Sequence, residues 1–292
     1  MKTANPPSPR ITFLDGRGDL PMIEVTTRWS TAEVYLHGAH VTHFKRHDDS
    51  SLLFLSQCSR FESKAPIRGG IPIIFPWFGK PAGQPGQHGF ARNHDWGLKE
   101  IQLPADGSVT VRLALPPGPE LADGEITVEY LVHVNALLTA ELIVRNNSLR
   151  DFTFENCLHT YFAVGDINTV RVAGLQGVAY LDQPAGFARR TDTEDAIRFA
   201  GEVDRAYLNT THVVEIHDPS LGRTIRVKKS GSHSTVVWNP WIAKAKTMAD
   251  FGDDEYLHMV CVESGNVADN QLALAPGKST SLKVMLDSLP LK

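Results

Sequence analysis

Residues Ile126–Val134, ITVEYLVHV, and the run at 138–144, LTAELIV, decide the architecture. In the first, Ile126, Val128, Tyr130, Val132 and Val134 alternate with Thr127, Glu129, Leu131 and His133. In the second, Leu138, Ala140, Leu142 and Val144 alternate with Thr139, Glu141 and Ile143. Successive side chains of a strand project to opposite faces, so each run reads as a strand covered on one face. The three residues between them, Asn135 to Leu137, are short enough for a hairpin. Working outward, strand-like runs recur at 34–45, 109–114, 224–228, 235–238 and 281–286. Helical periodicity is confined to short stretches around 243–250 and 253–256. Many short strands, with 23 glycines and 18 prolines to turn the chain, predict an all-β sandwich or closed barrel.

No linker rich in proline, serine or glycine parts the chain, and no repeat is evident. One domain of two large packed sheets is therefore expected over residues 11–292, after a polar, proline-rich lead-in at 1–10. The composition is that of a globular protein, 42% hydrophobic and 21% charged. A net charge of −4 gives no general attraction to nucleic acid or anionic lipid, so an anionic ligand needs a local basic cluster. No run approaches the roughly 18 apolar residues of a membrane-spanning helix, and the polar stretch at 1–10 lacks the apolar run of a secretory signal, so none is expected. Cys58, Cys157 and Cys261 form no CxxC pair, so thiolate zinc-site spacing is lacking and no metal is expected. Reduced, mostly buried thiols in a cytoplasmic protein are the expectation, with monomer as the default state.

Four segments depart from ordinary strand and turn composition. In residues 67–79, IRGGIPIIFPWFG, Pro72 and Pro76 interrupt an apolar run, which demotes it to an edge or bent segment. Gly69 and Gly70 beside Arg68 allow a close backbone approach while a cation points at a ligand, or else Arg68 pairs with a carboxylate. Residues 87–96, QHGFARNHDW, concentrate an amide, two imidazoles, an arginine and a carboxylate. Phe90 and Trp96 imply that the stretch is packed down, where such groups need partners. In residues 151–164, DFTFENCLHTYFAV, Phe152, Phe154, Leu158 and Phe162 share one face. Thr153, Glu155, Cys157, His159 and Tyr161 share the other. In residues 255–266, EYLHMVCVESGN, Glu263 closes the row Leu257, Met259, Cys261, just before Ser264-Gly265, where the strand is expected to leave the core. Burial there would raise its pKa and suit a general base, whereas a position past the rim would leave it solvated.

Taken in order, RGGIPIIFPWFG, QHGFAR, LHTYFAVGDI and VCVESGNV, with VDRAYLN and VVWNP between them, resemble the aldose 1-epimerase (galactose mutarotase) family, in its hexose-6-phosphate branch. The resemblance runs from about Glu24 to Leu286. It implies a large twisted antiparallel β-sandwich with few short helices and a sugar cleft on one sheet. It also implies α/β interconversion of a hexose 6-phosphate by ring opening and reclosure, with no cofactor. By resemblance, Glu263 takes the proton of the anomeric hydroxyl and His159 protonates the ring oxygen. Arg68 and Arg92 match positions that reach the 6-phosphate, while Gln87 and Asp204 match positions that contact the sugar. His88 lies beside them, and Trp238 and Trp241 could offer an apolar platform or simply pack in the core.

Two rival readings remain open. A free-sugar mutarotase would share the fold, and the arginines separate it from the phosphate enzyme. Both in the cleft without a carboxylate partner favour phosphate; either one in a buried salt bridge favours the free sugar. A non-catalytic sugar-binding protein would not need Glu263 and His159 set against one sugar ring. A glycosidase is disfavoured, since it needs two catalytic carboxylates and only Glu263 has the setting.

Overall fold

The computed structural model describes residues 8–291. The quoted runs form the hairpin Ile126–Val134 and Leu138–Asn146, with Val134 opposite Leu138. Ile126, Val128, Tyr130, Val132 and Val134 are all buried. Covering each such side chain contributes roughly 1.5–3 kcal/mol, which is why the alternation was legible. The hairpin lies within a nine-stranded sheet, between Ser279–Pro290 on one side and Val109–Ala114 on the other. Every ladder between its strands is antiparallel.

The second large sheet has eight strands. Its path runs Ala188–Thr191, Ala179–Asp182, Val203–Leu208, Ser234–Asn239, Met259–Asn266, Asn156–Leu158 and Ile73–Ile74, with Tyr161–Ala163 also pairing with Met259–Asn266. The inner faces meet in one core, where Val128, Val132 and Val284 share a cluster with Tyr207, Val237, Val260 and Val262. A four-stranded sheet built from residues 10–46 and a two-stranded sheet, Phe152–Phe154 with Leu272–Leu274, flank this sandwich. The helices are short, as expected: Trp241–Ala245 is α and Glu255–His258 is 3-10.

The structure corrects several boundaries. Residues 1–7 of the expected lead-in lie outside the described residues, and Arg10 belongs to the strand Arg10–Asp15, opposite Thr26. The run at 34–45 is two strands, Ser30–Tyr35 and His40–Arg46, because the chain turns between them and pairs back on itself. Pro72 and Pro76 do confine their segment to an edge, the two-residue strand Ile73–Ile74. The close approach allowed by Gly69 and Gly70 is to the chain itself. A Cβ would stand 2.5 Å from Phe54 O at Gly69 and 2.2 Å from Val41 O at Gly70. Both glycines also have positive φ, which other residues rarely adopt.

Candidate active site

Register assembles the site on the outer face of the eight-stranded sheet. Asp204 lies opposite Trp238, Trp238 opposite Cys261, and Cys261 opposite Tyr161, so one row crosses four strands. Two residues further along Met259–Asn266, Glu263 faces Val236 on one neighbour. On the other side the ladder is interrupted at His159 and Thr160. Leu158 opposite Ser264 and Tyr161 opposite Cys261 nevertheless keep one register, which sets His159 opposite Glu263. The sequence reading placed Glu263 where the strand leaves the core. The strand instead continues to Asn266, and Glu263 is only 1% exposed.

Of these residues, Asp204, Trp238, Tyr161, His159, Val236 and Glu263 line a cavity of about 410 Å³, together with Arg68, Gln87, His88, Arg92, Lys80 and Lys244. The fold thus brings together all seven residues singled out from the sequence: His159, Glu263, Arg68, Gln87, His88, Arg92 and Asp204. Trp238 lines it too, but Trp241 does not and packs on Tyr256, 5.3 Å between ring centres. A larger hollow, about 570 Å³, lies against Trp77, Phe90, Phe152 and Phe154, and its lining includes neither His159 nor Glu263.

His159 Nε2 is 3.3 Å from Glu263 Oε1. Burial, and then the charge of Asp204, pushes the Glu263 carboxyl well above its usual range. Burial, with His88, Arg92 and Arg68 adding to it, holds His159 well below its own. Both shifts disfavour the charged forms, so burial works against an ion pair at this contact. His159 also stacks on Tyr161, 4.8 Å between centres at 11°, and meets Trp238 edge-on. Cys157 donates its thiol to Glu263 Oε2 at 3.5 Å.

The stretch at 87–96 is packed down as anticipated, with Trp96 buried and donating to Ala91 O. Of its two histidines, His88 lines the cavity, whereas His94 is exposed. His88 has φ of +66°, a rare conformation for a residue with a side chain. Its Nδ1 accepts from Gly79 N, so the neutral ring carries its proton on Nε2, 3.1 Å from the Gln87 amide. Two donors cannot bond each other, so the Gln87 amide oxygen is the atom that belongs there. Burial, with Arg92 and Arg68 nearby, pushes His88 down to about 3 and keeps it neutral.

The two arginines differ. Arg68 is tied to Asp250, with Nη2 3.1 Å from Oδ2, and donates to Tyr161 Oη at 3.0 Å. Burial opposes its charge, but Tyr161 and Asp250 outweigh this and raise its pKa. Arg92, 9% exposed, donates from Nη2 to Gln87 O at 2.9 Å, its Nε is buried without a partner, and no carboxylate pairs with it among the described residues. Burial and Arg68 bring Arg92 down only to about 10, so it stays charged at neutral pH. The criterion set from the sequence asked that both arginines be free of a carboxylate for phosphate; Arg92 meets it, but the half-buried Arg68–Asp250 pair does not, so by that criterion the free-sugar reading gains. Asp204 is raised to about 6 by burial, which Lys244 at 3.8 Å partly offsets.

Sequence reasoning missed Lys244, Lys80, Tyr161 and Phe78 as lining groups. Tyr161 was on the correct face of its segment, and that signal could have found it. Asp250, the partner of Arg68, lies 182 residues away in sequence and gave no local signal.

Comparison with known proteins finds relatives over nearly the whole chain. The family model described as Aldose 1-epimerase matches residues 21–287. A Cenchrus ciliaris protein named "Putative glucose-6-phosphate 1-epimerase" is 38% identical over 270 residues, 89% of this chain and 82% of that protein. An Escherichia coli K12 protein of the same name is 36% identical over 262 residues, 87% of this chain and 85% of its own. The solved structure of a "putative mutarotase (YeaD) from Salmonella typhimurium" superposes with a TM-score of 0.88 at 31% identity. It covers 96% of this chain and 94% of its own. With the family model matching residues 21–287 and relatives at 36–38% identity covering most of both chains, the chain belongs to the aldose 1-epimerase family.

Proposed function

We propose that the protein is a glucose-6-phosphate 1-epimerase that interconverts the α and β anomers without a cofactor. The observation that carries this is one cavity holding both an opposed His159–Glu263 pair and a buried arginine, Arg92, with no carboxylate partner. The curated relatives bear the same activity in their names.

The hemiacetal hydroxyl and the ring oxygen hang on one carbon, so an acid and a base a few ångströms apart can reach both. The pair has two tautomers, carboxylate with imidazolium and carboxylic acid with imidazole, which differ by the position of one proton. From the first, Glu263 takes the hydroxyl proton, the bond from C1 to the ring oxygen breaks, and that oxygen takes the His159 proton. The sugar is then an open-chain aldehyde and the pair is in its neutral tautomer, the one that burial favours. Rotation about C1–C2 and reversal of the steps from the other face of the carbonyl give the opposite anomer. Each proton transfer contributes roughly 10²–10⁴ in rate. Arg92 offers a planar fork for the phosphate, while Gln87, His88 and Asp204 address sugar hydroxyls. The close approach of His159 and Glu263 also favours an enzyme over a binding-only relative.

A second reading, a free-aldose epimerase, is favoured by the Arg68–Asp250 pair. Magnetisation-transfer NMR of α/β exchange separates the two, with glucose 6-phosphate and glucose run side by side. Acceleration of the phosphate ester with little effect on glucose supports the proposal. Acceleration of glucose alone moves the activity to the free sugar, and acceleration of neither removes both.

A further inference from the structure

Residues 76–88, PWFGKPAGQPGQH, form a strap between two hollows. Phe78, Gly79 and His88 line the cavity that holds His159 and Glu263, whereas Pro76, Trp77 and Pro81 line the larger hollow outside it. A strap with space on both sides has little packing to hold it. Its conformation is also costly, since His88 keeps a side chain at a positive φ. Among the described residues, one hydrogen bond joins the stretch 77–86 to groups outside the strap: Phe78 N donates to Glu155 Oε2 at 2.8 Å. The Glu155 N–H donates to Pro76 O at 2.9 Å, so the same residue grips the strap on either side of Trp77. Its second oxygen, Oε1, accepts from Ala268 N at 2.6 Å, just beyond the strand Met259–Asn266 that carries Glu263. The sugar chemistry above gives Glu155 no part.

What hangs on this grip is the polarity of two groups in the cavity. Gly79 and His88 exchange two bonds, His88 N to Gly79 O at 2.7 Å and Gly79 N to His88 Nδ1 at 3.2 Å. An imidazole that accepts at Nδ1 carries its proton on Nε2. That proton meets the Gln87 amide 3.1 Å away, where the amide oxygen receives it and the NH2 is left for a ligand. If Gly79 slipped, Nδ1 would be free to take the proton and Nε2 would become an acceptor. The Gln87 amide would then turn over and offer a ligand its oxygen. We propose that Glu155 is a positioning residue that sets this polarity: by holding Phe78 it keeps the adjoining Gly79 N–H on His88 Nδ1, and so keeps Gln87 presenting a donor to an oxygen of the sugar. A carboxylate suits the task because it accepts from Phe78 and Ala268 at once, whereas an amide has one acceptor for the two donors. The relay rests on these hydrogen bonds alone; that its ligand is a sugar rests on the function proposed above.

Long-range proton–nitrogen-15 correlation NMR of the full-length protein reads imidazole tautomers directly, and the His88 signals are identified by their loss in His88→Gln. In the unaltered protein His88 should show one tautomer, protonated on Nε2. Glu155→Ala should bring in the tautomer protonated on Nδ1. It should also raise KM for glucose 6-phosphate about tenfold, the worth of one neutral hydrogen bond, with kcat less affected. In the His88→Gln background the same change should cost far less, because the relay it acts through is already broken. If Glu155→Ala does not fold, Glu155→Gln takes its place. Amide exchange of the unaltered protein is a further check: Phe78 should exchange more slowly than Trp77 and Lys80, whose N–H groups lack that grip. An unchanged tautomer in a folded variant, equal losses with and without His88, or a Phe78 amide as fast as its neighbours overturns the proposal. A tautomer change in a protein that accelerates no sugar leaves the relay standing and removes the proposed function instead.

Discussion

Replacing Arg92 with alanine removes a guanidinium that is 9% exposed and, among the described residues, in salt-bridge contact with no carboxylate. If it holds the 6-phosphate, two charge-assisted hydrogen bonds disappear, at about 1.5–3 kcal/mol each. Water entering the vacated space recovers part of that sum. A net loss of roughly 3–4 kcal/mol corresponds to about 10²–10³ in kcat/KM for glucose 6-phosphate. For free glucose the only bond lost is Nη2 to the Gln87 carbonyl, 2.9 Å in length. That neutral acceptor is worth about 0.5–1.5 kcal/mol, so the loss should be at most about tenfold. Magnetisation-transfer NMR at subsaturating sugar measures both exchange rates on one sample. The ratio of the two specificity constants should fall by at least roughly 10-fold and by up to several hundred-fold. Equal losses on both sugars would refute the reasoning and make Arg92 a brace for the loop that carries Gln87.

Glu263→Gln keeps the shape and loses the proton carrier; exchange should fall by roughly 10²–10⁴, with glucose 6-phosphate binding, measured calorimetrically, little changed. Near-full activity would reassign the base. His40 is fully buried, donates to the Gly69 carbonyl at 2.7 Å, and burial lowers its pKa from 6.5 to about 3. The unfolded chain therefore binds a proton that the folded one refuses, and stability is lost as pH falls from about 6.5 toward 3. His40→Asn keeps a donor without the titration, so urea unfolding of this variant should depend less steeply on pH across that window; an unchanged slope rejects the assignment. Tyr130 is buried and its hydroxyl has no partner. Tyr130→Phe should raise stability by about 1 kcal/mol in thermal melts, and a drop of that size would mean the hydroxyl is bonded after all.

Local periodicity carried much of this structure, and its failures have physical causes. The alternation at Ile126–Val134 survives because one face meets a core and the other meets water, the condition under which a period of two is written into sequence. The same rule put Cys157, His159 and Tyr161 on a common face before any partner strand was known. It failed at Glu263, where Ser264-Gly265 resembles a strand exit. Those residues continue the ladder, and Gly265 is small because Cys157 packs against it. Trp241, left open between a sugar platform and core packing, packs against Tyr256, with Pro240 capping the helix Trp241–Ala245 that carries it. Partners distant in sequence, such as Asp250 for Arg68 and Lys244 for Asp204, are products of register and leave no trace in a local window.

That register has a bearing on errors in folding. Asp204, Trp238, Cys261, Tyr161 and Glu263 come from four strands, and each points outward only because its strand is in phase with its neighbours. A slip of one residue in Met259–Asn266 would turn Glu263 inward and set its carboxyl among the valines between the sheets. There it would find neither His159 nor Cys157, and a lone carboxyl in such surroundings costs several kcal/mol. Mispaired chains are thus penalised by a carboxyl that the correctly paired chain sets in the cavity lining.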